Sequence, residues 1–421
     1  MQITVEKQDE INYLIKGSVD NALIEEKVSK KKEEAKEHSE KEMTPEQIEQ
    51  AAAGEIFQEF INEGIKQAQI PIDDVLGQPA LRKYEKSDSS VYFEVEVAVD
   101  PKLDVKDLYK QAIPAFEAPQ ADEQSIDRKL EEFRLKNAPF VALEKQRAVE
   151  RDDVAIIDFE GFIDGKPFEG GKAEKFSLKI GSNTFIPGFE EQLIGMEYGE
   201  TRHIMVTFPK EYQAEDLAGK ESEFKVTLHE IKVQKPEPLS DAYARSVLRD
   251  ESATLQTLRE KIAQQVVSEM LSSIYVKELK PKMEEALVSL YDFTLPNNIV
   301  EQEIDAMVKE KAHTFSKEEH ESFVQDKEKF LALRESYREE AQKRIKLALI
   351  IEAVAKKENV TVDDQELQAA LGYQAMIAGQ DADELVKYYE ENNLMASAKL
   401  ALLQDKLFGQ LLEFDRLNNI V

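Results

Sequence analysis

Between Val154 and Met196 the chain reads VAIIDFEGFIDGKPFEGGKAEKFSLKIGSNTFIPGFEEQLIGM, which packs six phenylalanines and seven glycines into 43 residues. The stretch contains no Cys, no His and no Ser-His pair, so it offers neither an activated nucleophile nor metal-ligand spacing. Rings set among bending glycines, on a sheet crossed by a short helix, would line a concave apolar pocket. The same rings also fit a plain aromatic core, and the walls of an apolar pocket belong to the core in either case.

Local signals place these residues on a small antiparallel sheet. Asp164-Gly165 predicts a tight hairpin turn, with a strand from Ile156 to Phe159 before it and another starting near Pro167-Phe168. Gly170-Gly171 lets the chain bend, and KFSLKIG predicts a third strand with Phe176, Leu178 and Ile180 on one face. Pro187-Gly188 opens a short helix, Phe189 to Met196, ended by Gly195 and Gly199. TRHIMVTF and SEFKVTLHEIKV alternate as two more strands.

The rest of the 421 residues must carry this module. Residues 1–107 read as an α+β domain. Thr44-Pro45 with Gln47 forms a helix start ahead of the apolar row Ile48, Ala52, Ile56 and Phe60, and Val91, Phe93, Val95 and Val97 alternate along a half-buried strand. Residues 108–148 hold a linker helix expected to pack with the C-terminal body, 149–236 the β-rich module, and 237–421 an almost wholly helical region with arms. The chain is thus read as multidomain α+β. Its net charge of −30 opposes broad binding to nucleic acid or anionic membranes, so neither DNA nor membrane is expected as a partner. The absence of Cys rules out disulfides and thiol chemistry. The start lacks a signal-peptide pattern, and no apolar run approaches the roughly 20 residues that span a bilayer, so a cytoplasmic location is expected.

Asp158 to Gly171, Phe176 to Gly181 and Phe185 to Glu191 together resemble the FKBP-type peptidyl-prolyl isomerase domain. The order of segments, and stretches such as VTFPKEYQAEDLAGKESEFKVTLHEIK and LPNNIVEQEIDAMV, are similar to the trigger factor family of ribosome-associated bacterial chaperones. The resemblance implies an ATP-independent chaperone for nascent or unfolded chains with isomerase activity and no cofactor or metal. The barrier to rotation about an X-Pro amide comes from amide resonance, about 18–20 kcal/mol for a peptide bond in general. The resonance form separates charge, so an apolar pocket would disfavour it relative to the twisted amide without acid, base or metal. The resemblance assigns the proline pocket to Phe159, Phe168, Glu169, Phe176, Phe185, Ile186, Phe189, Tyr212 and Phe224. Phe189 would form the floor, and the backbone N–H of Ile186 would meet the substrate carbonyl; a solvated hairpin charge fits Glu169 as well. Client contacts are expected among Met307, Phe315, Phe323, Tyr373, Met376 and Ile377, with Ile304 and Val308 as neighbours, although each also fits helix–helix core. GYQAMIAGQ, residues 372–380, is the best candidate for an exposed adaptable face.

The family docks on the ribosome through a tip of the form G-F-R-x-G-x-x-P, which this chain lacks. The corresponding region offers Lys30, Lys31, Lys32 and Lys36, closely followed by glutamates, a pattern that also fits a solvated helix face. A free cytoplasmic holdase whose FKBP-like domain binds proline but catalyses weakly is the alternative. A homodimer of the free chain is left open.

Overall fold

In a computed structural model the described residues are 1–37, 44–212, 214, 216–316, 322–323 and 326–414, with the side chains of 34–37 outside the description. Contacts divide the chain into two units: Met1–Glu117 together with the stretch from Ser273 onward, and Ala118–Ser272.

In the first unit, β1 (Gln2–Lys7), β2 (Asn12–Asp20), β3 (Val75–Lys86) and β4 (Ser90–Val99) form an antiparallel sheet in the order β1-β2-β4-β3. Helices α1 (Asn21–Glu37) and α2 (Pro45–Gln67) accompany it. α2 starts with a reciprocal capping box, in which Gln47 N–H donates to Thr44 Oγ1 and Thr44 N–H donates to Gln47 Oε1. Ile56, Phe60 and Ile61 pack on Ile15, Val91, Phe93, Val95 and Val97, the alternating face of β4.

The helices of this unit build three further cores. Here α7 is Lys280–Leu290, α8 Asn297–Ala312, α9 Lys327–Ser336, α10 Arg338–Glu358, α11 Asp364–Ala378, α12 Ala382–Glu391 and α13 Met395–Leu411. Met283, Leu287, Ile350, Val354, Leu407 and Phe408 centre the largest, which also takes in Val105, Tyr109 and Ala112. α8 is tied to the sheet by polar side chains. Asn298 Nδ2 donates to the carbonyls of Leu76 and Gln78, each at 2.9 Å, and Asn12 Nδ2 donates to the carbonyl of Leu295 at 2.9 Å. Glu301 accepts from Arg334 and Arg338, each at 2.7 Å.

In the second unit, β5 (Phe140–Ala142), β6 (Val154–Ile163), β7 (Lys166–Lys179), β8 (Thr201–Thr207) and β9 (Glu221–Gln234) form one antiparallel sheet. Its order is β5-β9-β6-β7, with β8 also on β9. α4 (Phe189–Leu193) accompanies this sheet. α3 (Glu123–Lys136) packs with α5 (Asp241–Leu248) and α6 (Leu255–Ile274) around Ile126, Leu130, Tyr243, Leu258 and Ile262. Residues 241–272 therefore group with the β-rich module and α3.

Two local expectations are corrected. The segments at Pro167 and Lys175 form one long strand, β7, because the bend is absorbed by a register shift against β6 and by Lys175 at φ 52°. The short helix ends at Leu193 and not Met196, since Gly195 takes a left-handed φ of 82°. Among the described residues, no helix is long and apolar enough to cross a membrane.

Candidate functional site

Alternation along β6 buries Ala155, Ile157, Phe159 and Gly161, and this face sets Phe159 at the centre of an aromatic group. Its ring lies 5.7 Å from Phe176, 5.3 Å from Phe185, 6.1 Å from Phe189 and 6.0 Å from Phe224, centroid to centroid. Phe189 meets Phe185 at 4.3 Å and Phe224 at 5.2 Å, while Phe168 meets Phe224 at 5.8 Å. Tilted and edge-on arrangements dominate, as the ring quadrupole favours. Exposure grades across the group. Phe189 is fully buried, Phe159 and Phe224 nearly so, Phe168, Phe185 and Ile186 are half-buried, and Phe176 and Tyr212 are 38% and 40% exposed. The rings therefore run from a buried floor to an exposed rim.

Tyr212 joins the group through Phe208, whose ring lies 4.8 Å from Tyr212 and 5.8 Å from Phe168. Phe208 was not among the residues singled out from the sequence. A signal for it existed, because Ile204, Val206 and Phe208 alternate onto the buried face at the end of TRHIMVTF.

Backbone chemistry supplies the polar part of the site. The carbonyl of Ile186 accepts from the N–H of Phe189 at 3.0 Å, while the N–H of Ile186 has no acceptor among the described residues. Glu169 is exposed, with no side-chain hydrogen bond or ion pair among the described residues.

Phe168 sits where it does because two glycines admit it. A Cβ on Gly161 would lie 2.6 Å from the rings of both Phe168 and Phe224, and one on Gly171 would lie 2.8 Å from Phe168. α4, which carries Phe189, is held at both ends. Gln192 Nε2 donates to the carbonyls of Gly188 at 2.9 Å and Met205 at 2.8 Å. The Arg202 guanidinium donates to the carbonyls of Gln192, Ile194 and Gly195 at 2.8, 3.3 and 3.2 Å, satisfying acceptors that a helix end leaves open.

Glu190, another residue the sequence did not single out, is 3% exposed. Its carboxylate accepts from the backbone N–H groups of Gly181 at 2.7 Å, Asn183 at 3.1 Å, Thr184 at 3.1 Å and Phe185 at 3.2 Å, and from Ser182 Oγ at 3.2 Å. Burial pushes this carboxyl up, but the backbone donors and the Ser182 hydroxyl outweigh it and hold the group below its ordinary value. Asp158 is likewise held low, by the Lys175 N–H at 2.6 Å and by His229, whose Nε2 lies 2.7 Å away.

The expected client residues do not lie together. Met307 is 6% exposed and packs with Val300, Ile304, Val308 and Ala341, so Met307, Ile304 and Val308 are core and not surface. Their 3.6-residue spacing marks the face that α8 turns toward α9 and α10. Phe315 and Phe323 are half-buried and stack on each other at 4.9 Å, with Lys329 Nζ 4.6 Å from the Phe323 ring. Tyr373, Met376 and Ile377 are 62%, 67% and 68% exposed on α11, opposite its buried Leu367, Leu371 and Ala375.

On α1, Lys31 pairs with Glu55, and Lys27 reaches Glu59 at 2.5 Å and Glu55 at 3.2 Å. Lys30 and Lys32 make no ion pair among the described residues, and the side chain of Lys36 lies outside them.

An antiparallel sheet with a short helix and a graded group of aromatic rings fits an FKBP-type module, and the FKBP-type peptidyl-prolyl cis-trans isomerase model matches residues 145–232. On either side of it, the bacterial trigger factor protein model matches residues 35–133 and the trigger factor C-terminus model residues 254–413. A trigger factor from Sulfurovum sp. (strain NBC37-1) is 48% identical over 98% of this chain and 100% of its own length. One from Wolinella succinogenes is 38% identical over 98% and 99%. The chain belongs to the trigger factor family. It is an ATP-independent chaperone that carries a peptidyl-prolyl isomerase domain.

Proposed function

We propose that X-Pro bonds are turned over in the hollow bounded by Phe159, Phe168, Phe176, Phe185, Phe189, Phe208, Tyr212 and Phe224. The prolyl ring would rest on Phe189, and the N–H of Ile186 would meet the carbonyl of the preceding residue. The observation that carries this reading is the gradation from the buried Phe189 to the exposed Phe176 and Tyr212, together with a backbone donor that has no acceptor among the described residues. A surface of this kind desolvates the amide and offers one hydrogen bond while it twists, which is the chemistry that needs no reactive side chain. The test is the cis–trans rate of an Xaa-Pro-Phe peptide with Phe189→Ala. The rate is expected to fall by roughly two orders of magnitude while suppression of client aggregation persists. An unchanged rate refutes the pocket assignment.

The client surface we propose is the exposed face of α11, Tyr373, Met376 and Ile377, with the Phe315–Phe323 stack as a second contact. The four-part division at residues 107, 148 and 236 remains the working functional map, with nascent and unfolded chains as clients in the cytoplasm. Ribosome docking comes with the family, but among the described residues of α1 Lys27 and Lys31 pair with Glu55 and Glu59, which leaves Lys30 and Lys32 for phosphate. Binding to 70S particles is therefore expected to be weak, with a shallow salt dependence. Co-sedimentation at several salt concentrations measures this, and a steep loss of binding with salt contradicts it.

A further inference from the structure

We propose that Glu190 is a positioning residue for the isomerase reaction: its buried carboxylate is the internal anion around which the pocket loop, residues 181–185, is wound. The inference rests on the pocket reading above and adds to it the group that holds one wall in place.

The loop joins the end of β7 to α4. Gly181 and Asn183 take left-handed φ values of 88° and 55°, which lets nearby N–H groups turn toward one point. Backbone concavities of this type bind anions. Here the occupant is the protein's own side chain. Glu190 Oε2 takes the N–H groups of Gly181 and Asn183, and Oε1 takes those of Thr184 and Phe185 together with the Ser182 hydroxyl. Glu190 also stands in the first turn of α4, where negative charge is favoured.

Two features of the site follow from this arrangement. The last N–H held is that of Phe185, whose ring contacts Phe159, Phe176 and Phe189. The next N–H along the chain is that of Ile186, which has no acceptor among the described residues. The carboxylate thus fixes both the ring and the donor from one side while Phe189, its neighbour in sequence, supplies the floor. All five of its partners donate, so the site suits two acceptor oxygens. An amide at 190 would turn an NH2 group toward N–H donors and leave at least two of them unmet.

The experiment uses the full chain and compares Glu190→Gln with wild type in the Xaa-Pro-Phe assay across pH. Ile231→Ala, a core change on β9, is carried as a control for lost stability alone. The expected result is a fall in kcat/KM of roughly tenfold or more for Glu190→Gln, with a folded far-UV spectrum and faster amide exchange at Gly181, Asn183, Thr184 and Phe185. Wild-type activity should decline on acidification as Glu190 protonates, and the decline should be smaller in the glutamine variant, in which Asp158 and Glu301 still titrate. Ile231→Ala should match the stability loss without the activity loss. If Glu190→Gln fails to fold, Glu190→Asp, which keeps the charge but shortens the reach, is judged by the same criteria. Activity within about twofold of wild type, with the acid step intact, overturns the inference. An inactive wild type would instead overturn the pocket reading on which it rests.

Discussion

Gly161 shows how tightly single residues are specified in the aromatic group. Its missing side chain is the space into which Phe168 and Phe224 fit, and a methyl group there would sit 2.6 Å from both rings. Gly161→Ala is expected to cost about 1–3 kcal/mol through overpacking and to lower the isomerase rate. Urea unfolding and the peptide assay, run side by side, check both effects; a neutral outcome in the two would mean that the rings can shift freely. Much at this scale was legible in the chain. The resemblance of Asp158–Gly171, Phe176–Gly181 and Phe185–Glu191 to the FKBP motif brought Phe159, Phe168, Phe176, Phe185 and Phe189 forward as pocket candidates. Phe208 lay outside the motifs and was visible only as the last step of an alternation. Glu190 was invisible for a different reason. A glutamate in the first turn of a helix reads as solvated, and only the folded loop shows that five donors surround it.

Elements position these residues, and their ends matter most. α4 spans only Phe189–Leu193, too short to be stable alone, so it depends on Gln192 and Arg202. Removing the guanidinium with Arg202→Ala leaves three carbonyls without that donor and should cost about 1–3 kcal/mol. It should also weaken catalysis by loosening Phe189. A wild-type rate in this variant would show that α4 is held by packing alone. On α8, Glu301 joins Arg334 and Arg338 and lies 3.5 Å from Arg82 of β3. Arg334 keeps Asp305, Arg338 keeps Glu335 and Arg82 keeps Glu96, so Glu301→Ala should cost about 1–3 kcal/mol, read as a lower denaturant midpoint with peptide isomerisation unaffected. The almost wholly helical reading of residues 237–421 foretold α8 and α11 as helices. It could not say which apolar face meets another helix. The spacing of Ile304, Met307 and Val308 is compatible with core and with client surface, and they pack as core. At residues 372–380 the apolar residues outnumber what one face can bury, which is why Tyr373, Met376 and Ile377 remain outside.

At the scale of the whole chain, charge and exposed apolar surface act together. A net charge of −30 opposes non-specific aggregation while α11 displays three large apolar side chains. Replacing them, as Tyr373→Ser, Met376→Ser and Ile377→Ser, should lower holdase activity several-fold and leave stability within about 0.5 kcal/mol. Light scattering of an aggregating client measures the first effect, and undiminished protection would exclude α11 as the contact. Acid should act on both units. Glu190, Asp158 and Glu301 are each held below the ordinary carboxylate range, Glu301 because its arginines outweigh its burial. Groups with depressed folded values contribute stability above their unfolded values, near pH 4, and lose it as pH falls through the folded ones. The urea midpoint should thus be flat near neutrality and drop below about pH 4. Grouping of residues 241–272 with the β-rich module was not legible, because helical periodicity says nothing about which helices will be neighbours.

The way the chain enters and leaves the sheet has one more consequence. Phe140 on β5 faces Gln234 on β9, and Lys235 N–H donates to the carbonyl of Pro139 at 3.0 Å. The two crossing points are therefore immediate neighbours, and among the described residues the apolar seam joining α3, α5 and α6 draws on none between them. Excising 140–234 and rejoining the ends through about two turn residues should spare that seam. The catalytic insert is in this sense a detachable cassette, and its host could gain, lose or exchange it without redesigning the helices on either side.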